Sequence, residues 1–303
     1  MTQETTILAI ETSCDETAAA VIKNGRHILS NVVASQQSIH AKYGGVFPEV
    51  ASRRHIEVIQ PIVSEALEQA ETTLDECDLI AVTRGPGLVG SLLVGVNMAK
   101  GLALASDKPL LGVNHIEGHI YAQWLTAAAP DIRFPILILV VSGGHTELYL
   151  MTSHCTYKHL GGTIDDAAGE AFDKVGRLLD LPYPGGPAID KIAKRGNANA
   201  YQFPRALMKP KSGYDFSFSG LKTAVLRETR KFDADRMPVA DMAASFQTAV
   251  VDVLIEKAKQ AAEEYKVTAV HLAGGVSANS QLREEIGQRM PVTVRYPPLP
   301  LCI

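Results

Sequence analysis

The chain has little of what marks several classes of protein. Its cysteines number four, they lie far apart, and none belongs to a CxxC pair. This spacing fits a reduced cytosolic protein better than a disulfide scaffold. The N-terminus lacks a basic segment followed by an apolar one, and no apolar run approaches the roughly 18 residues of a membrane span. The sequence therefore predicts a cytoplasmic protein.

The chain also lacks a large excess of positive or of negative residues. Lys and Arg total 29 against 33 Asp and Glu, a net charge of −4. No strong basic field draws nucleic acid to the surface, so a polynucleotide substrate would need local patches or a partner. With 303 residues, of which 46% are hydrophobic, the chain is long enough for two ordinary domains.

The common phosphate-binding motifs are absent, since neither GxxxxGK[ST] nor GxGxxG occurs. Three other glycine turns stand where predicted strands meet helices. Glycine allows close backbone approach, and a helix N-terminus offers free N–H groups to phosphate. Any one of them is more simply a tight turn, but three together favour a nucleotide site. They are Gly85-Pro86-Gly87 with Gly90, Ser142-Gly143-Gly144, and Gly274-Gly275 with Asn279.

The order of predicted elements occurs twice. A three-strand meander opens the chain, with a hairpin signal at Asn24-Gly25, and a helix follows from Pro48 to Glu71. A strand, a glycine turn and a helix come next, and the series restarts near residue 134. We predict two similar α/β lobes facing each other across a cleft, residues 1–131 and 132–303. Residues 182–220, rich in Pro, Gly and Lys, form an irregular insertion.

Two histidines stand four positions apart in VNHIEGHIYAQW, residues 113–124. On a helix, His115 and His119 would project from one face, which is typical of a metal-binding pair. Glu117 lies about 200° round the helix from His115, so it does not match the base of an HExxH protease. The alternative is two unrelated polar residues at a helix start. A metal site would still need a third ligand from elsewhere.

Long motifs together resemble one family. They are AIETSCDETA, GGVFPEVASRRH, RGPGLVGSLLVG, NHIEGH, LVVSGGHTEL, IDDAAGEAFDKVGRLL, YPGGP, DFSFSGLKTAV and LAGGVSAN. From Ile7 to Cys302 the chain resembles the bacterial TsaD (Gcp, YgjD) family. The resemblance implies the actin/Hsp70/sugar-kinase-like (ASKHA) fold. It also implies transfer of threonylcarbamoyl from threonylcarbamoyl-AMP to N6 of adenosine 37, in tRNAs that read codons starting with A, with release of AMP.

The resemblance also implies roles for individual residues. His115 and His119 would bind one divalent metal ion per subunit, iron or zinc. The ribose region of the adenylate would contact Asp173, Gly186 and Asp190, with Asn279 near the nucleotide. The segment expected to hold its phosphate region is Val140, Val141, Ser142, Gly143 and Gly144.

A general base for the adenine amine is less clear from the residues. Glu11 and Asp15 lie on the first hairpin turn, where this fold places a phosphate-facing loop. They are candidate catalytic residues, and a role in capping or turn formation explains them equally well.

The chain departs from the family at its end. The family follows Leu-Cys with Thr-Asp-Asn and a helix of small residues, and that Asp is the third metal ligand. Here the sequence reads PPLPLCI and ends at Ile303. We therefore expect the third ligand to lie beyond Ile303, the final helix to be missing, and activity of this chain to be impaired or absent. Scaffold behaviour is the alternative.

The resemblance implies partners: the relative TsaB as a heterodimer, the ATPase TsaE, and TsaC or Sua5 to supply threonylcarbamoyl-AMP. The helix from Pro48 to Glu71 is a candidate TsaB interface, although packing on its own domain explains the same stripe. A small-molecule kinase of this fold would carry an Asp-x-Gly hairpin, which ETSCDET lacks. Candidate contacts to tRNA phosphates are Arg53, Arg54, Lys191, Lys194, Arg195, Lys209 and Lys211.

Overall fold

The computed structural model describes residues 4–125, 133–208 and 213–302. The chain divides into two compact units between residues 129 and 130. The predicted boundary at residues 131 and 132 lies outside the described residues, as do Lys209 and Lys211. Each unit is described by itself below.

The first unit is built on a five-stranded sheet with the strand order β3-β2-β1-β4-β5. Strands β1, β2 and β3 are antiparallel, and β4 and β5 continue the sheet parallel to β1. The elements are β1 (Thr6–Glu11), β2 (Glu16–Lys23), β3 (His27–Ser35), α1 (Gln37–His40), α2 (Pro48–Gln69), β4 (Leu79–Gly85), α3 (Val89–Ser106), β5 (Leu110–Asn114) and α4 (His115–Tyr121).

The second unit repeats this topology. Its sheet has the order β8-β7-β6-β9-β10, again an antiparallel meander continued by two parallel strands. The elements are β6 (Ile136–Val141), β7 (Thr146–Ser153), β8 (Thr156–Gly162), α5 (Ala168–Leu178), α6 (Gly185–Ala193), α7 (Ser219–Thr229), α8 (Val239–Glu264), β9 (Ala269–Ala273), α9 (Ser280–Arg289) and β10 (Thr293–Arg295). The predicted α/β repeat is confirmed.

Each unit has its own hydrophobic core. In the second, all six residues of β6 are buried, and helices α5 and α8 meet through the rings of Phe172 and Phe246, 5.3 Å apart. In the first, one side of α2 packs on the sheet through Ile59, Ile62 and Val63. Because β6 is buried on both faces, its residues form a continuous apolar run rather than an alternating pattern.

Helix α3 is unusually apolar and exposed. Among the described residues it alone has the length and mean hydropathy that a membrane span requires, but only 17% of it is buried. Val89 is 73% exposed, Leu93 53% and Leu104 87%. Length and composition do not distinguish a span from other apolar helices, and an exposed apolar stripe on a folded unit also marks a surface that contacts another protein.

The hydroxyl group of Thr12 is inserted into helix α3. Thr12 Oγ1 donates to the carbonyl oxygen of Ser91 at 2.8 Å and accepts from the backbone N–H of Gly95 at 3.1 Å. Ser91 and Gly95 are four residues apart, so these two groups would otherwise bond to each other. A Cβ at position 95 would collide with Thr12 Oγ1. The loop after β1 is thus joined to α3 by a side chain that takes the place of a helical hydrogen bond.

We expect Thr12→Val to lower the free energy of unfolding by about 2 kcal/mol, because valine leaves a buried N–H and a buried carbonyl without partners. Thr12→Ser keeps the hydroxyl group and is the matched control, expected to lose less than about 1 kcal/mol through its missing methyl group. Urea titration followed by circular dichroism measures both. A valine variant as stable as the serine variant would contradict the role of the hydroxyl.

Candidate active site

The two histidines lie on α4, a short helix directly after β5. Asn114 begins the helix, and its Oδ1 accepts from the backbone N–H groups of Ile116 at 2.8 Å and Glu117 at 3.3 Å. This cap explains why the helix starts where it does. His115 Nε2 and His119 Nε2 are 3.1 Å apart. At that distance the two atoms share one proton, or their lone pairs converge on a single cation.

The carboxylate of Glu11 lies beside Nδ1 of His115. Ser13 Oγ lies 3.1 Å and Glu11 Oε2 3.5 Å from Nδ1 of His115, on the ring edge away from His119. Glu11 also accepts from the backbone N–H of Ser13 and from the hydroxyl group of Thr83, in two short hydrogen bonds. Glu11 ends β1, and Thr83 lies on the parallel neighbour β4. The cluster therefore forms where parallel strands β1 and β4 end.

Burial by itself would raise the pKa of Glu11. The hydrogen bonds from His115, Ser13 and Thr83, together with the charge that His115 carries when it is protonated, outweigh burial and lower this pKa to about 2. A carboxylate with so low a pKa is a weak base at neutral pH. Asp15, the other candidate base, is partly buried in the turn after β1, where its backbone carbonyl accepts from Gln36 at 3.1 Å.

Two turns of the second unit meet at the ends of β6 and β9, which are parallel neighbours. Gly274 has φ of +86°, and a Cβ there would lie 2.6 Å from the carbonyl oxygen of Val141. A Cβ at Gly169 would lie 2.5 Å from the carbonyl oxygen of Ser142. The turn after β9 and the start of α5 therefore press against the turn after β6 so closely that only glycine fits.

The tip of the turn after β6 is open by contrast. Gly143 and Gly144 are exposed, and a Cβ added to either would meet nothing within 4 Å. The turn is closed beneath them, because Ser142 N–H donates to the carbonyl oxygen of His145 at 2.8 Å and Ser142 Oγ accepts from His145 N–H at 3.1 Å. A rigid turn with an accessible tip suits a phosphate group. Val140 and Val141, by contrast, are fully buried.

The expected ribose-contacting residues belong to the same unit. Asp173 Oδ1 accepts from Gly185 N–H at 2.7 Å, at the start of α6. Asp190 on α6 accepts from the hydroxyl group of Ser280 at 2.8 Å, at the start of α9. Gly186 is the residue after Gly185, and its Cβ position touches only Phe172 at 3.9 Å. These contacts join α5, α6 and α9.

Asn279 stands at the junction between the turn after β9 and helix α9. Its Oδ1 accepts from Leu282 N–H at 2.9 Å, and its Nδ2 donates to Gln247 Oε1 at 2.8 Å. Both ends of the amide therefore have protein partners. In this structure the side chain caps α9, and it sits five residues after Gly274.

The chain matches the family model for TsaD, tRNA N6-adenosine threonylcarbamoyltransferase, over residues 27–303. It belongs to this family. Relatives named tRNA N6-adenosine threonylcarbamoyltransferase include one from Thermomicrobium roseum, 53% identical over 98% of this chain and 87% of its own length. Another, from Bacillus cereus strain ATCC 14579, is 54% identical over 100% of this chain and 88% of its own length.

Solved structures similar to this chain have the ASKHA fold. T. kodakarensis HypF matches 98% of the chain and 45% of its own length, with a TM-score of 0.65 and 17% identity. Component A of (R)-2-hydroxyglutaryl-CoA dehydratase from Acidaminococcus fermentans matches 98% of the chain and 92% of its own, with a TM-score of 0.57 and 13% identity. At these identities the likeness concerns the fold alone, and it confirms the predicted fold class.

The donor set at His115 and His119 fits a metal ion of the kind that the TsaD resemblance implies. With metal–nitrogen bonds of about 2.05 Å, nitrogen atoms 3.1 Å apart subtend about 98° at a shared ion. That angle falls between octahedral and tetrahedral values, and His115 has an acceptor behind its far nitrogen. Across residues 4–125, 133–208 and 213–302, no group of three or more His, Cys, Asp or Glu side chains forms a metal site.

Two residues of the cluster, Ser13 and Thr83, were not predicted from the sequence of this TsaD family member. Thr83 bonds Glu11 across 72 residues, and Ser13 bonds His115 across 102. The sequence did contain one indication of their role: Ser13 follows the carboxyl end of β1, and Thr83 lies near the carboxyl end of β4. Residues that follow neighbouring parallel strands meet at one edge of a sheet, which is where this class of fold places its ligands.

Proposed function

We propose that this protein transfers the threonylcarbamoyl group from threonylcarbamoyl-AMP to N6 of adenosine 37 of tRNA and releases AMP. The observation that carries the proposal is identity above 50% to named transferases over nearly the whole chain. Those relatives do not favour the two alternatives, a scaffold or a small-molecule kinase. We place the reaction in the cytoplasm, where tRNA is modified.

The second unit would bind the adenylate. The exposed residues Gly143 and Gly144 would contact the phosphate, and the buried Val140, Val141 and Ser142 hold their turn in place. Asp173, Gly186, Asp190 and Asn279 would lie along the nucleoside. The carboxylates of Asp173 and Asp190 each use Oδ1 for a bond within the protein, which fixes their orientation.

His115 and His119 would hold one divalent cation in the first unit, iron or zinc, both of which accept imidazole ligands. When bound, such an ion acts as a Lewis acid toward a phosphate or carbonyl oxygen. The chain's own contribution is orientation. The cap at Asn114 sets the start of α4, and the spacing of one helical turn brings both Nε2 atoms together.

The partners follow from the same proposal. TsaB would dock on the exposed side of α2 and α3: Ile56 is 66% exposed, whereas Ile59 is buried in the core of its own unit. TsaE and the donor-forming TsaC or Sua5 complete the system. Of the candidate tRNA contacts among the described residues, Arg54 pairs with Glu57 at 2.8 Å. The others are Arg53, Lys191, Lys194 and Arg195.

A reconstituted assay tests the function. We expect a mixture of the chain with TsaB, TsaE, ATP and threonylcarbamoyl-AMP to form more threonylcarbamoyladenosine than the mixture without the chain, in a tRNA that carries adenosine at position 37, as measured by mass spectrometry of the nucleosides. The control tRNA carries guanosine at that position and should stay unmodified. Equal amounts of product with and without the chain would overturn the proposal.

A further inference from the structure

We propose that Glu11 is a positioning residue: it holds the ring of His115 in one tautomer, with Nδ1 protonated and Nε2 directed at the cation, and it does not touch the substrate. This inference rests on the cation site of the proposed function. It assigns Glu11 a role different from the proton acceptor that its place on the first turn suggested.

The tautomer follows from the atoms around Nδ1 of His115. Glu11 Oε2 lies 3.5 Å from it and Ser13 Oγ 3.1 Å. An ionised carboxylate only accepts hydrogen bonds, whereas a serine hydroxyl donates or accepts. The arrangement that satisfies both neighbours has the proton on Nδ1, so the lone pair lies on Nε2, the atom that is 3.1 Å from Nε2 of His119. Ligand histidines in general donate their second ring nitrogen to such an acceptor.

The carboxylate is itself held on two sides. Its Oε1 accepts from the backbone N–H of Ser13, and its Oε2 accepts from the hydroxyl group of Thr83. Thr83 is buried within β4, and Glu11 ends the neighbouring β1, so both belong to the parallel part of the sheet. Because each oxygen accepts a hydrogen bond from another residue, Glu11 cannot rotate away from the imidazole without breaking those bonds.

These contacts fix the direction in which Nε2 of His115 points. His119 stands one turn further along α4, and its Nε2 lies 3.1 Å from Nε2 of His115. If Glu11 is lost, the His115 ring has a second tautomer and a second orientation available. Removing such a partner of a ligand histidine weakens metal affinity by about 10–100-fold in other metalloproteins.

Zinc affinity tests the proposal. We expect Glu11→Ala to weaken Zn²⁺ binding by about 10–100-fold, measured on the full chain by competition with a chromophoric chelator. Glu11→Gln keeps an acceptor oxygen without the charge and should fall between wild type and alanine. The control is Glu16→Gln on β2, a partly buried carboxylate that bonds Ser35 instead of His115, with affinity expected within about twofold of wild type.

A second measurement separates positioning from general damage to the fold. The ¹⁵N chemical shifts of the His115 ring should show a protonated Nδ1 in the wild-type protein and a mixture of tautomers in Glu11→Gln. Wild-type zinc affinity in Glu11→Ala, or an Nε2-protonated ring in the wild type, overturns the role of Glu11 alone. Zinc binding that His115→Ala leaves unchanged overturns the cation site itself and this inference with it.

Discussion

His115→Ala is expected to reduce the rate of tRNA modification by about a hundredfold or more and to abolish the binding of one divalent ion per chain. A metal ion that takes up negative charge lowers a reaction barrier by several kcal/mol, and each 1.4 kcal/mol is about tenfold in rate. Single-turnover assays give the rate, and inductively coupled plasma mass spectrometry of the dialysed protein gives the metal content. We expect His119→Ala to reduce the rate and the metal content in the same way, because the two Nε2 atoms are 3.1 Å apart.

The double variant should be no worse than either single variant, because ligands that act as a unit are not additive. His27→Ala is the control: His27 is exposed on β3, outside the cluster, and its removal should change neither rate nor metal content. Full metal content in both histidine variants would exclude the pair as ligands.

Gly274→Ala is expected to raise the KM for threonylcarbamoyl-AMP by about tenfold or more and to lower the free energy of unfolding by about 3 kcal/mol. Its φ of +86° with ψ of 167° is a conformation that costs other residues about 1–3 kcal/mol. The added Cβ would also lie 2.6 Å from the carbonyl oxygen of Val141 and 3.1 Å from Cβ of Ser142. This clash is removed only if the turns after β6 and β9 move apart, and that movement displaces the proposed phosphate site.

The neighbouring residue gives a matched control. A Cβ at Gly275 would meet only the carbonyl oxygen of Cys302, at an ordinary 3.8 Å, and this residue does not need a left-handed backbone. Gly275→Ala should therefore keep both stability and KM close to wild type. If the two alanine variants behave alike, the close approach of the turns does not matter for binding.

The fold was largely predictable because its signals are local. The six apolar residues of β6, the Asn24-Gly25 hairpin and the apolar stripe of α2 each identify an element within a few residues of sequence. Their repeated order then indicates two sheets of the same topology, which the structure shows. Even Pro61, inside α2, does not end that helix, which runs to Gln69 instead of the predicted Glu71.

What the sequence did not reveal depends on contacts between distant residues. The insertion at 182–220 contains helix α6, which begins inside the segment YPGGP, residues 183–187, although this segment looks like a turn. Gly185 begins that helix because the carboxylate of Asp173, 12 residues earlier, accepts its N–H. In the same way the local spacing identifies His115 and His119, but Thr83 and Ser13 approach only after β1 and β4 pair. The number of residues between two positions does not show whether their side chains meet in the folded sheet.

The hydroxyl of Thr12 has a mechanical consequence. Since it bridges Ser91 and Gly95, helix α3 and the segment from Glu11 to Ser13 cannot slide past one another unless two buried bonds break together. A displacement of α3 therefore carries with it Glu11 and Ser13, the two residues that contact the His115 imidazole.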